Sequence, residues 1–217
     1  MKQSYFVIGT DTNVGKTYVA SALVRHFAAK GYSTIGMKPI ASGCMRNGNG
    51  GLLNDDVSAL ATASNVPASL DLINPYRFEP AIAPHIAAAQ VEKIIDCEVI
   101  KLAYQQLKAL ADVVIVEGAG GFLVPLNNQE TLADLAVLLN IPVILVVGMR
   151  LGCINHALLT VEAIKSRGLT LAGWVANRVD AEMPVFEENL VSLQQRIAAP
   201  CISVVGWQEE VVFNANW

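Results

Sequence analysis

Charge is scarce in this sequence: Asp, Glu, Lys and Arg together make up only 16% of the 217 residues, and aromatic residues 6%. So little charge beside 53% hydrophobic residues, most of them aliphatic, excludes a disordered chain and favours a sheet buried on both faces by helices. Positive charge is not in excess either. A formal net charge of −4 gives no overall attraction to nucleic acid or to an anionic membrane, which leaves small molecules as the expected partners. The four cysteines, Cys44, Cys97, Cys153 and Cys201, include no C-x-x-C pair, and the start MKQSYFVIG lacks the apolar length of a signal peptide. Reduced thiols in a cytoplasmic protein are therefore expected. Uninterrupted apolar runs of membrane-spanning length are missing: Asp134, Asn140 and Pro142 break Leu132–Met149, which reads as a short helix feeding a buried strand. Repeats and low-complexity segments are also absent, and the length suits one domain over residues 1–217.

What is present is an alternation of Val/Ile/Leu-rich runs with helical stretches, the βαβ pattern of an α/β fold with a parallel sheet and helices on both faces. Strands are predicted at Tyr5–Gly9, Ser33–Pro39, Val113–Glu117, Val143–Gly148, Leu171–Asn177 and Ile202–Gly206. Val19, Ala22, Leu23 and Phe27 form one apolar face of a helix between the first two strands, and Gly31 is a plausible stop for it. Further helices are predicted at Asp56–Ser64, Glu98–Ala111, Leu132–Leu139, His156–Ser166 and Val185–Ile197. Two irregular stretches remain, Ala41–Asn54 and Asn74–Ala89, the latter carrying Pro75, Pro80 and Pro84; loops of that length are more often functional than idle.

Three segments carry chemistry. GTDTNVGKT, Gly9 to Thr17, lies where a strand ends and an amphipathic helix begins, the context of the phosphate-binding loop of P-loop NTPases. Backbone N–H groups there can hold phosphate oxygens, Lys16 can reach the β- and γ-phosphates, and the Thr17 hydroxyl can ligate Mg²⁺. The first glycine stands one residue earlier than G-x-x-x-x-G-K-[ST] requires, so a chance G-K-T is the competing reading. Lys38 stands at the carboxyl end of the predicted second strand, with Ser42 just beyond it, at the edge where ligands of open α/β sheets bind; the competing reading is an idle strand-end lysine. In VVIVEGAGG, Val113 to Gly121, an apolar strand runs into Glu117, a carboxylate able to bind Mg²⁺, and into glycines that admit close backbone approach.

In the same order along residues 5 to about 180, GTDTNVGKT, MKPIASG, VEGAGG, VGMRLGCINH and LAGWVANRV resemble the motifs of the dethiobiotin synthetase family. The resemblance implies closure of a ureido ring from 7,8-diaminopelargonate, CO₂ and ATP with Mg²⁺, through a carbamate and a carbamic-phosphoric mixed anhydride. It implies catalytic roles for Thr12, Lys16 and Lys38, and nucleotide contacts from Thr12, Asn13, Val14, Gly15, Lys16, Thr17, Asp56, Glu117, Gly118, Ala119 and Gly120. The purine would be met by Asn177, with Arg178 beside it. Thr17, Asp56 and Glu117 would bind the metal; Asp55 is the neighbouring alternative to Asp56, and either acid could instead cap a helix starting there. Thr12, Lys38 and Ser42 would contact the substrate, while Gly152, Cys153, Ile154 and Asn155 of a second subunit would hold its carboxylate at a helix start, which implies a homodimer.

Three departures from the family pattern stand out: Arg178 where an acid is usual, Gly206 where a proline is usual, and an end at Trp217, which make the adenine end the part least covered by the motifs. Cys153 in an apolar context reads as a packing residue rather than a nucleophile. His26, His85 and His156 lack the spacing of a metal pair and read as structural hydrogen-bonding residues. A partitioning-type dimer-switch ATPase would carry a second loop lysine where Asp11 stands, and a glutamine-dependent ligase would need a further domain. A small-molecule kinase on the same loop is separated only by the later motifs.

Overall fold

The computed structural model describes residues 2–46, 48, 50–215 and 217. In chain order the elements are β1 (Gln3–Gly9), α1 (Lys16–Ala29), β2 (Thr34–Met37), β3 (Ile40–Ala41), β4 (Met45–Arg46), β5 (Leu52–Leu53), α2 (Asp55–Ala63), α3 (Leu70–Ile73) and β6 (Tyr76–Arg77). They continue with α4 (Pro84–Gln90), α5 (Cys97–Leu110), β7 (Val113–Gly121), α6 (Leu132–Leu139), β8 (Val143–Met149), α7 (Cys153–Ser166), β9 (Leu171–Arg178), α8 (Phe186–Arg196) and β10 (Cys201–Val205).

Six strands form one parallel sheet in the order β10-β9-β8-β1-β7-β2. Strand alternation sorts the apolar side chains to two faces. Phe6, Ile8, Val114, Val116, Leu145 and Trp174 face a core shared with α5, α6 and α7. Val7, Val113, Ile115, Ile144 and Val146 face a smaller core with Val19, Leu23 and Phe27 of α1, closed by Val211, Phe213 and Trp217 near the end of the chain. From β1 the chain first builds the β7–β2 side and then crosses to β8. Thus β1 is the topological switch point, where the carboxyl ends of neighbouring strands leave a crevice for ligand.

Several bounds differ from the sequence expectation, for local reasons. The second strand ends at Met37 rather than Pro39, because Lys38 N–H turns to Ile73 O at 2.9 Å and Pro39 has no N–H to continue the ladder. The strand expected to end at Glu117 runs on to Gly121, where a register shift lets Gly121 pair with Gly9. The helix expected from His156 begins at Cys153, with Gly152 as its cap at φ 94°, a left-handed conformation that glycine adopts freely. Inside the expected irregular stretch Asn74–Ala89, Pro84 starts helix α4 at a position where its missing N–H costs nothing. Ala41–Asn54 holds short strand pairings, and its Asn47 and Asn49 lie outside the described residues.

Candidate active site

The loop between β1 and α1 bends through Asn13 at φ 58° and Gly15 at φ 84°, which aims the start of α1 back over the sheet edge. Val14 anchors it: its side chain fills the space where a Cβ on Gly9 or on Gly148 would stand, 2.6 Å away in each case. Asn177, buried at the end of β9, donates from Nδ2 to Val14 O at 2.8 Å. Lys16 is buried, and its ammonium donates to Asp11 O at 2.8 Å. Burial, reinforced by the positive charge of Lys38, lowers the Lys16 pKa to about 8.

Opposite the loop, the residue after β2, the middle of β7 and the first turn of α2 converge. Lys38 Nζ lies 2.5 Å from Glu117 Oε1 and 2.9 Å from Asp56 Oδ2, and donates to Gly118 O at 3.3 Å. Thr17 Oγ1 donates to the same Glu117 Oε1 at 2.7 Å. Burial works against the Lys38 charge, but the carboxylates of Glu117 and Asp56 outweigh it and raise its pKa. The Asp56 carboxyl, which burial alone would raise, is held below its ordinary value mainly by the Lys38 ammonium. The idle strand-end reading of Lys38 is therefore wrong: it is a buried ion-pair partner of two acids.

These groups line a cavity of about 930 Å³ together with Thr12, Asn13, Gly15, Tyr18, Ser42, Ala119 and Gly120. Its lining also includes apolar residues, Ile40, Ala41, Ile82, Ala83, Pro84 and Val124. The cavity thus combines lysines, acids and backbone N–H groups with apolar surface that suits an aliphatic chain. Ser42 Oγ and Glu117 Oε2 are buried without a hydrogen-bond partner among the described residues. An orphaned carboxylate oxygen beside a hydroxyl and a second acid is a set of hard oxygen donors of the kind Mg²⁺ takes.

Asp56 reaches the site and Asp55 points to solvent, and neither caps α2: Asn54 does, accepting from Asp56 N and Val57 N. Gly118 contributes its carbonyl. Gly152, Cys153, Ile154 and Asn155 line neither this cavity nor a second one of about 480 Å³ between the loop and α7; they stand at the start of α7, with Cys153 buried. Asn177 and Arg178 do not line the main cavity. Arg178 donates to the carbonyls of Asp180 and Ala181 and stacks on Phe186. His26 meets Trp217 O at 2.9 Å, as a structural residue should. His85 corrects that expectation, since its Nδ1 is buried without a partner among the described residues. His156 lines the second cavity.

Sequence reasoning missed three contributors: the Val14 plug, the loop-bracing bond of Asn177, and Arg150, whose Nη2 lies 2.5 Å from Asp11 Oδ2. Arg150 had a signal, a lone cation at the end of the apolar run of β8.

Parallel sheet, switch-point loop and the buried Lys16 followed by Thr17 define a nucleotide-binding protein of the P-loop class. The AAA domain family matches residues 3–215. Among solved structures, the MinC:MinD cell division complex of Aquifex aeolicus is similar at a TM-score of 0.58 and 16% identity, covering 96% of this chain and 82% of that one. The signal recognition particle receptor FtsY of Elizabethkingia anophelis in complex with GDP is similar at 0.56 and 15%, covering 100% and 61%. At such identities the likeness establishes the fold. Closer relatives narrow it: the chain is 54% identical to the ATP-dependent dethiobiotin synthetase BioD of Cellvibrio japonicus over 94% of its length and 89% of the relative's. It is 53% identical to the one of Nitrosospira multiformis, over 96% and 90%. The chain belongs to the ATP-dependent dethiobiotin synthetase family.

Proposed function

We propose that this chain is an ATP-dependent ligase that closes the ureido ring of dethiobiotin from 7,8-diaminopelargonate, CO₂ and ATP in biotin biosynthesis. The carrying observation is the meeting of Lys16, Lys38, Thr17, Asp56 and Glu117 in one cavity that is also lined by apolar residues. One amine of the substrate takes up CO₂ as a carbamate, which is phosphorylated by ATP, and the second amine closes the ring as phosphate leaves. Carbamate and triphosphate are both anions, so the protein's contribution is positioning and positive charge. Lys16 orients the transferred phosphoryl group, Lys38 faces the carbamate, and Thr12 and Ser42, whose hydroxyl has no partner among the described residues, orient the amine end. The backbone of Asn13, Val14, Gly15 and of Gly118, Ala119, Gly120 lines the phosphates.

Thr17, Asp56 and Glu117 fit Mg²⁺, which when bound would offset triphosphate charge. Asn177 and Arg178 would approach the base; Asn177 retains its Oδ1 as an acceptor, since Nδ2 is committed to Val14. We take residues 1–217 as one domain, because each apolar core draws on both β1 and the last strands or helices of the chain. The helix start at Gly152, Cys153, Ile154 and Asn155, outside its own cavity, supports a homodimer in which it serves the partner's substrate carboxylate. No described helix is long and apolar enough to cross a membrane, and the four free cysteines suit the cytoplasm.

The test is incubation with 7,8-diaminopelargonate, ¹³C-bicarbonate and MgATP, with each omitted in turn, and mass spectrometry of the products. Labelled dethiobiotin that requires every component is expected; its absence from a protein that still binds ATP would overturn the assignment.

A further inference from the structure

Asp11 places a carboxylate inside a loop that has to accept a triphosphate, which by charge alone is the wrong group for the position. Its surroundings compensate. Asp11 Oδ1 accepts from Thr12 N at 2.7 Å, its carbonyl accepts from Lys16 Nζ at 2.8 Å, and Oδ2 is paired with Arg150 Nη2 at 2.5 Å. Asp11 therefore ties together two residues that line the cavity, Thr12 and Lys16, and Arg150 is the side chain that neutralises it.

Arg150 is held in place for this. It directly follows β8, which is the sheet neighbour of β1, and the two strand ends are cross-linked by Thr10 N to Val146 O at 3.0 Å and Gly148 N to Thr10 Oγ1 at 3.3 Å. Arg150 O also accepts the first N–H of α7, from Cys153 at 3.0 Å. The side chains of the pair are 41% and 46% exposed, and pairs that open to water add little to folding stability. Its consequence is to be sought in the loop.

We propose that Arg150 is a positioning residue of the phosphate loop: by pairing with Asp11 it cancels the carboxylate's repulsion of the nucleotide and fixes the Asp11 backbone that orients Thr12 and Lys16. The inference rests on the proposed function only in that the loop takes ATP, and nucleotide binding is its readout. Failure to form dethiobiotin would leave it standing.

The experiment is calorimetric titration of the full chain with Mg²⁺ and the β,γ-methylene analogue of ATP. Arg150→Met weakens binding about tenfold, while Arg150→Lys, which keeps a point charge, stays within about threefold of the parent. Adding Asp11→Asn to Arg150→Met removes the uncompensated charge, keeps an acceptor for Thr12 N–H, and recovers most of the loss. A merely structural arginine would not be rescued in this way. Unchanged affinity in Arg150→Met, a tenfold loss in Arg150→Lys, or no recovery in the double variant would each overturn the proposal. Thermal midpoints of all three variants within a few degrees of the parent separate loss of binding from loss of fold.

Discussion

Lys16 carries a charge that the fold tolerates at a cost, and its removal should make the ligand-free protein more stable while abolishing nucleotide binding. Its pKa falls from 10.5 to about 8 on folding. At about 1.4 kcal/mol per pH unit, that displacement means that holding the proton in the native site costs about 3 kcal/mol below pH 8. Lys16→Met keeps much of the buried stem, since Lys16 is only 7% exposed, but loses the bond to Asp11 O, worth about 1 kcal/mol. The variant should therefore gain about 2 kcal/mol at pH 7, or about 4–8 °C in midpoint for a chain of this size.

The sign of the pH dependence follows from proton counting. Between pH 8 and 10.5 the unfolded chain keeps the Lys16 proton and the folded chain does not, so the Lys16 contribution to stability rises with pH across that window. Tyr5 and the cysteines, whose pKa values burial raises, and Lys38 titrate at alkaline pH as well. Only the difference between parent and variant isolates Lys16. Urea unfolding of both proteins, free of metal and nucleotide, from pH 7 to 9.5 should show the variant's advantage shrinking as pH rises. A variant less stable than the parent at pH 7, or a difference that stays flat, would refute the reasoning.

Other consequences are as direct. Asp56→Asn should lower kcat/KM on the order of 100-fold, as loss of a preorganised charge at a phosphoryl-transfer site does, while Asp55→Asn, on the exposed neighbour, should stay within about twofold. Asn177→Ala leaves the buried Val14 carbonyl without its donor; denaturant titration should show a loss of about 1–3 kcal/mol, and KM for ATP should rise. Gly15→Ala should abolish nucleotide binding in calorimetry, because φ is 84° and the new Cβ would stand 2.2 Å from Asn177 Nδ2. Pairing it with Asn177→Ala should relieve the clash but not the backbone strain. Cys97, buried and with its pKa pushed up to about 12 chiefly by burial, should resist thiol reagents at pH 8 in the folded chain and react on unfolding.

The phosphate loop was legible because its signal is local: a strand, two glycines, Lys16 and Thr17, and a helix whose apolar face begins at once. The sheet was legible because strands buried on both faces read as continuous Val/Ile runs. What escaped was set by contact between distant segments. Asn54 outcompeted Asp55 and Asp56 as the cap of α2 because Asp56 is drawn away to Lys38, a partner that adjacency in sequence does not reveal. The early start of α7 depended on a left-handed Gly152, and α4 on a proline that starts a helix although the same residue elsewhere ends one. Asn177 reads from the sequence only as a base contact; that it also braces the loop emerges with Val14 O 2.8 Å from its Nδ2.

The charges explain why these residues had to come from separate strand ends. Lys16 and Lys38 are buried with Glu117, and Asp56 stands half-buried beside them, two cations against two acids. Isolated, each buried charge would cost several kcal/mol; assembled, each finds a partner. A parallel sheet supplies the arrangement at its switch point, where the end of β2, Glu117 of β7 and the loop after β1 meet within reach of α2. The balance is local and tight enough that Glu117 Oε1 accepts from both Thr17 and Lys38 while Oε2 has no partner among the described residues. An anionic triphosphate adds negative charge to a site whose own lysines and acids already balance, so it is best received together with a divalent cation, which offsets part of that charge.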